Sequence, residues 1–147
     1  MPRTFKTILC ATDFSEPSYR AIDYGLRFAE VSGGTLLLAH IIHVPSGELY
    51  QQAPPTLNFD EAKKRSLTLL QEVRDQRLGG YAKCELLVDI GDPYERLMNI
   101  VKERAVDLIV TATHGRSGLG QLLIGSVAEK IIRHAPCPVF VVRYGAE

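Results

Sequence analysis

No charge of either sign predominates in this chain of 147 residues, in which seventeen lysines and arginines offset seventeen aspartates and glutamates. No block of like charge appears either, which argues against a general nucleic-acid surface or an anionic membrane as partner. No apolar run approaches the roughly 20 residues of a spanning helix. The opening Met1-Pro2-Arg3-Thr4-Phe5-Lys6 lacks a signal-like apolar stretch. The chain is therefore expected in the cytoplasm, away from membranes. Cysteine is scarce: Cys10, Cys84 and Cys137 lie scattered in or beside apolar runs, without C-x-x-C spacing. They read as buried free thiols rather than redox or metal groups, and no metal-ligand cluster is evident. Internal repeats and low-complexity tracts are also missing. What remains is one ordinary domain over residues 1–147, large enough to bury roughly 70% of its unfolded surface.

The chain alternates between apolar runs and amphipathic ones. Thr7 to Thr12 is continuous and mostly apolar, as expected of a strand covered on both faces, and Asp13 stands at its carboxyl end. Ser15-Glu16-Pro17 predicts a helix start, with Ser15 as cap and proline in the first turn, where its missing N–H costs nothing. Ala21, Ile22, Gly25, Leu26 and Ala29 form the apolar face of that helix, and Gly33-Gly34 end it. A second strand is expected over Thr35 to Val44. Pro45 to Asn58, proline-rich and without clear periodicity, reads as a long surface connection. From about Asp60 to Arg77 the spacing of Ala62, Leu69, Leu70 and Val73 predicts a helix, capped by Asp60 or Asn58 and ended by Gly79-Gly80. A third strand is expected from about Lys83 to Ile90. Asp92 then caps a helix with Pro93 in its first turn and Glu95 placed to close a capping box. Leu97, Ile100, Val101 and Ala105 mark its face. A fourth strand over Val106 to Ala112 leads to a glycine-rich loop. A last helix comes next, with Ile124, Val127, Ala128, Ile131, Ile132 and Ala135 on one face, and then a fifth strand over Pro138 to Arg143. Strand runs separated by helices require crossover connections, hence an α/β fold: a doubly wound, mostly parallel five-stranded sheet with helices on both faces.

The glycine-rich stretch from Ala112 to Val127 carries the chemistry. Strand, glycine loop and helix start together can bring backbone N–H groups and a positive dipole end to an anion, so phosphate is the natural guest. Two common phosphate motifs fail. Gly115 and Gly120 have P-loop separation, but Gln121 stands where the phosphate-reaching lysine belongs. Gly118-Leu119-Gly120 begins a dinucleotide fingerprint, but Leu123 occupies the third glycine position.

Gly115, nine further residues and then Gly125-Ser126, within H-G-R-S-G-L-G-Q-L-L-I-G-S-V-A-E-K, resembles the universal stress protein family. Nucleotide-binding members of that family carry G-x2-G-x9-G-[S/T] at this place. The first motif glycine falls on Ala112, a departure that adds one methyl where the family's backbone passes close to the nucleotide. The resemblance extends to the opening I-L-C-A-T-D-F-S, the second-strand ending A-H-I-I and the closing A-P-C-P-V-F-V-V-R, so it spans nearly the whole chain. It implies a sheet of order 3-2-1-4-5, reversing between strands one and four, and ligands bind such sheets outside the carboxyl ends at the reversal. Those two strands end at Asp13 and Ala112.

The resemblance further implies ATP or a related adenine nucleotide, with Mg2+ or Mn2+ carried by its phosphates, and a role in stress response or signalling. The nucleotide-binding set so implied is Ala11, Asp13, Ile41, Ala112, His114, Gly115, Arg116, Gly125, Ser126 and Val127. Adenine would lie near Ile41, the nucleoside near Asp13, and the phosphates against the Gly115 loop and the start of the Gly125-Ser126 helix. The resemblance also puts the last strand, Val139 to Arg143, at the sheet edge, where an uncovered strand invites pairing, so a homodimer is expected there. No catalytic residue is assigned. With neither a P-loop lysine nor a water-activating residue identifiable, an efficient hydrolase is not expected.

The same residues have plainer readings. Asp13 can cap a turn, Ser126 is a helix N-cap with or without a ligand, and His114 and Arg116 taken alone read as loop residues. His40 and His43, at a strand end, read as local hydrogen-bonding groups. The alternatives are a nucleotide-free dimeric interaction protein of the same fold, which the Ala112 departure favours, and a weak ATPase or nucleotide-dependent switch. An adenosine-type cofactor such as a flavin nucleotide is a third.

Overall fold

The structure is a computed structural model that describes residues 4–44, 58–114 and 124–143. The apolar runs form five parallel strands: β1 (Thr7–Ala11), β2 (Thr35–His43), β3 (Cys84–Gly91), β4 (Leu108–Ala112) and β5 (Val139–Val142). Between them lie α1 (Glu16–Ser32), α2 (Phe59–Arg77), α3 (Pro93–Glu103) and α4 (Ser126–His134). The sheet order is β3-β2-β1-β4-β5, as the family resemblance implies. Most of the connection expected over Pro45 to Asn58, and the glycine loop with Gly115 and Arg116, lie outside the described residues.

Strand periodicity divides the core in two. Ile8 and Cys10 of β1, Leu36 and Leu38 of β2, and Leu108 and Val110 of β4 pack with Ala21 and Ile22 of α1 and Leu70 and Val73 of α2. The intervening residues Leu9, Leu37, Ala39, Ile41 and Ile109 pack with Leu97, Ile100 and Val101 of α3 and Ile131 of α4. Side chains of a strand point alternately to opposite faces, so a continuous apolar run serves two helix layers at once. Burying each such leucine or isoleucine contributes roughly 1.5–3 kcal/mol before conformational entropy is charged against it.

Local signals start and stop the helices. Ser15, Asn58 and Asp92 accept from Ser18, Glu61 and Glu95 N–H at 3.4, 3.2 and 3.0 Å, which makes Asn58 rather than Asp60 the cap of α2. Gly33 closes α1 in the left-handed conformation at φ 70. A Cβ on the next residue, Gly34, would lie 2.5 Å from Phe5 O, so only glycine lets β2 begin directly against the start of β1.

Several expectations are corrected. Leu69 is 40% exposed, because Ser66, Leu70 and Val73 make the inward stripe of α2 at four- and three-residue steps and Leu69 lies beside it. Ile124 and Ile132 are likewise on the surface. Ala105 is not on the face of α3 but past its end, at φ 50, where the chain turns back through a Val106 N–H bond to Val101 O. Of the three thiols, only Cys10 is fully buried.

Candidate functional site

At the carboxyl end of β1 the chain leaves toward α1, and beyond β4 it continues to α4 on the opposite face. The neighbouring strands β1 and β4 therefore part company, and a cleft of about 580 Å³ opens there. It is the reversal point of the sheet, the place where a doubly wound fold leaves room for a ligand. From β1, the turn after it and β2 come Ala11, Asp13 and Ile41. From β4 and the residues just beyond it come Ala112 and His114, and from the start of α4 come Gly125, Ser126 and Val127. Gly115 and Arg116 lie outside the described residues. The apolar floor of the cleft is made by Pro93 and Leu97 of α3 and Ala128 and Ile131 of α4.

Backbone direction along β2 follows from its hydrogen bonds. Thr35 N–H donates to Lys6 O and Ala39 O accepts from Thr12 N–H, both on the β1 side, whereas Leu36 and Val44 donate to Lys83 and Gly91 on the β3 side. The main chain of alternate residues faces alternate neighbours. Ile41 thus turns its N–H and C=O toward the β1 side, past the Ala11↔Ala39 pair that ends the β1–β2 ladder.

Across the cleft, Thr113 is a junction. Its N–H donates to Val142 O at 3.0 Å, its C=O accepts Gly125 N–H at 2.7 Å, and its Oγ1 meets His114 Nδ1 at 2.8 Å. His114 is 6% exposed, so it is a buried, side-chain-bonded residue and not an open loop position. Gly125, not Ser126, is the N-cap of α4, and Ser126 is its first helical residue. The donors of the first turn, Ser126, Val127 and Ala128 N–H, precede the first intrahelical bond, Glu129 N–H to Gly125 O at 2.9 Å. Gly125 has φ −61, which any residue adopts, and a Cβ there would meet only Thr113 O at 3.4 Å among the described residues. Among the described residues nothing demands glycine at 125.

Ala112, 9% exposed, packs in the α1-side cluster with Val110 and Val142 while also bordering the cleft. His40 Nδ1 donates to Thr12 O at 2.8 Å, the local hydrogen-bonding role expected of it, and His43 stands at the exposed end of β2.

Sequence reasoning missed Thr12, Ser18 and Thr113 as cleft residues. Ser18 had a readable signal: it is a hydroxyl residue on the stripe Ser18, Ala21, Ile22, Gly25 and Ala29 that α1 buries. Phe14 had none. Its φ of 63 is a left-handed value that costs a residue with a side chain about 1–2 kcal/mol. Burial raises all three thiols, Cys84 to about 11 and Cys10 further, so none is a ready nucleophile at neutral pH. Among the described residues no group of three His, Cys, Asp or Glu side chains converges as a metal site. No helix among them is long and apolar enough to cross a membrane.

The profile of the universal stress protein family matches residues 4–143. A universal stress protein of Thermus aquaticus, encoded in the QAH/OAS sulfhydrylase 3′ region, is 34% identical over 144 residues, covering 95% of this chain and 99% of that protein. The structure of hypothetical protein MJ0577 from Methanocaldococcus jannaschii superimposes with a TM-score of 0.78 at 26% identity, covering 99% of this chain and 100% of that one. A universal stress protein crystallised in complex with cAMP superimposes with a TM-score of 0.73 at 23% identity, covering 96% of this chain and 98% of that one.

Proposed function

This chain belongs to the universal stress protein family, and from that premise we propose that it is an adenine-nucleotide-binding protein, with ATP as ligand, acting in stress response or signalling. The observation that carries the reading is the convergence in one cleft of the Ile41 main chain, the Asp13 carboxylate and the start of α4. Ile41 offers a C=O acceptor beside an N–H donor. The adenine edge answers it with an amine donor beside the N1 acceptor, while guanine presents the reverse order and is rejected. Asp13 accepts hydroxyl protons from the sugar. The first-turn N–H groups of α4 and its dipole take phosphate oxygens, joined by His114, Gly115 and Arg116. Glycine at 125, unneeded by the backbone, leaves the space of a methyl for that approach. A phosphate-bearing ligand is what the cAMP-bound relative holds as well. Mg2+ or Mn2+ would enter on the phosphates, because the described residues offer no ligand cluster of their own.

The protein would act as a homodimer joined at β5. Ile109 N–H bonds Pro138 O and Thr113 N–H bonds Val142 O, so by alternation Val139, Val141 and Arg143 turn their main chain to the outer edge of the sheet. The unpaired thiols suit the reducing cytoplasm.

The test is identification by mass spectrometry of nucleotide released from natively purified protein, followed by calorimetric titration of ATP and Mg2+ into stripped wild type and Gly125→Ala. Micromolar affinity, about −8 kcal/mol, is expected for wild type. A loss of about tenfold or more at unchanged thermal stability is expected for the variant. No retained nucleotide and no binding heat would leave the nucleotide-free interaction protein as the function of this fold.

A further inference from the structure

The turn after β1 is held by a chain of hydrogen bonds whose direction can be worked out. Ser18 Oγ donates its one proton to Ser15 O at 2.7 Å, so in its 2.8 Å contact with Thr12 Oγ1 it accepts. Thr12 Oγ1 therefore donates to Ser18 and accepts the Phe14 N–H at 2.9 Å. Thr12 O takes the proton of His40 Nδ1, and the Phe14 ring rests 4.6 Å from the His40 ring. Thr12 is 4% and Ser18 6% exposed, so neither hydroxyl can turn to bulk water for a substitute partner. Between the two ends of this brace stands Asp13, whose Oδ1 accepts both the N–H and the hydroxyl of Ser15.

A turn whose only task was to start α1 would not need a phenylalanine at φ 63. Backbone strain of this kind persists where the surroundings over-determine it, and here the residue it orients borders the cleft. We infer that Thr12 is a positioning residue: through the Phe14 amide it sets the direction of the Asp13 carboxylate, with Ser18 and His40 anchoring it, so that the site discriminates a sugar with free hydroxyls from one without. This rests on the adenine-nucleotide reading above. Thr12 borders the cleft but acts on the ligand's sugar through Asp13, and its loss lowers discrimination without emptying the cleft.

The experiment compares wild type, Thr12→Val and Thr12→Ser by titration with ATP and with 2′,3′-dideoxy-ATP, alongside amide hydrogen exchange at Phe14 without ligand. Valine keeps the shape of threonine and removes the hydroxyl, while serine keeps the hydroxyl. Thr12→Val is expected to lose about tenfold in ATP affinity, the size of one hydrogen bond, with dideoxy-ATP affinity falling much less, so that the ATP to dideoxy-ATP ratio drops, and Phe14 exchange accelerated. Thr12→Ser restores both. Should Thr12→Val not fold, Ser18→Ala, which removes the acceptor that orients the Thr12 hydroxyl, is expected to lower the same ratio in the same direction. An unchanged ATP to dideoxy-ATP ratio in a folded variant, with wild type binding ATP, overturns the inference alone. A wild type that binds neither nucleotide overturns the inference and the functional reading together, and normal Phe14 exchange in Thr12→Val refutes the brace whatever binds.

Discussion

Gly25, in the middle of α1, meets Cys10 of β1 across the core, and the pair offers a sharp test of how tightly helix and sheet are packed. A Cβ built on Gly25 would lie 2.3 Å from Cys10 Sγ, 3.4 Å from Leu36 Cδ1 and 4.0 Å from Cys10 Cβ. Only the sulfur stands in the way. In an open helix, Gly→Ala would stabilise by roughly 0.5–1 kcal/mol. Here the methyl must displace a sulfur that is 0% exposed, and overpacking of that kind costs about 1–3 kcal/mol. Gly25→Ala is therefore expected to destabilise by about 1–2 kcal/mol net, or roughly 2–8 °C in Tm for a domain of this size. Cys10→Ala alone should cost about 1–2 kcal/mol through lost burial and the void it leaves. In the double variant the new methyl occupies space the sulfur has vacated, at ordinary contact distance from the Cys10 Cβ. The sign of the glycine substitution then reverses, and the double variant should equal or exceed Cys10→Ala in stability. The coupling, about 2 kcal/mol, is read from urea denaturation of the four proteins with m-values held in common. Additive effects, or a Gly25→Ala variant as stable as wild type, would refute the packing account of this glycine.

Local geometry sets three further outcomes. Ala105→Gly should stabilise by about 1 kcal/mol, since φ 50 suits glycine and the residue is exposed; chemical denaturation measures it. Asp107→Ala should cost about 1–3 kcal/mol, because its carboxylate accepts the Lys6 and Thr7 N–H groups at 2.8 and 3.1 Å where β1 begins; Asp107→Asn, keeping one acceptor, should lose less in the same assay. Folding holds the Cys84 proton more tightly than the unfolded chain does, raising its pKa from 9.0 to about 11 by burial. The unfolded state then releases that proton first, so stability is unaffected below pH 9 and falls as pH rises from 9 toward 11. Thermal melts across that range should show a decline that Cys84→Ala makes shallower, and native-state alkylation at neutral pH should leave Cys10 unmodified.

The elements were legible because their causes are local. Ser15, Asp92 and Pro93 announce helix starts by capping chemistry that acts within four residues, and the runs from Thr7 and Thr35 are apolar at nearly every step because both faces are covered. Less legible were positions where a neighbouring element decides. Leu69 fits the α2 pattern as well as Leu70 does, yet only one of them faces β2 and β3. His114 reads as a loop histidine until Thr113 is seen to hold it, and Gly125 displaces Ser126 as cap because Thr113 O takes its N–H. The left-handed Phe14 was invisible, since its support comes from Thr12 and Ser18 through side-chain bonds and from His40, on a different strand.

Taken by itself, the sequence determined the alternation of strands and helices, the caps at Ser15 and Asp92, the two-faced core and the resemblance that names the family. These are matters of period, propensity and motif, written in runs of a few residues. The resemblance implied that Asp13, Ile41 and the start of α4 serve one ligand, but tertiary structure alone decided the cleft they line and which hydroxyls brace it. That required β1 and β4 to part at the reversal of the sheet, a juxtaposition of residues a hundred positions apart that no local pattern encodes.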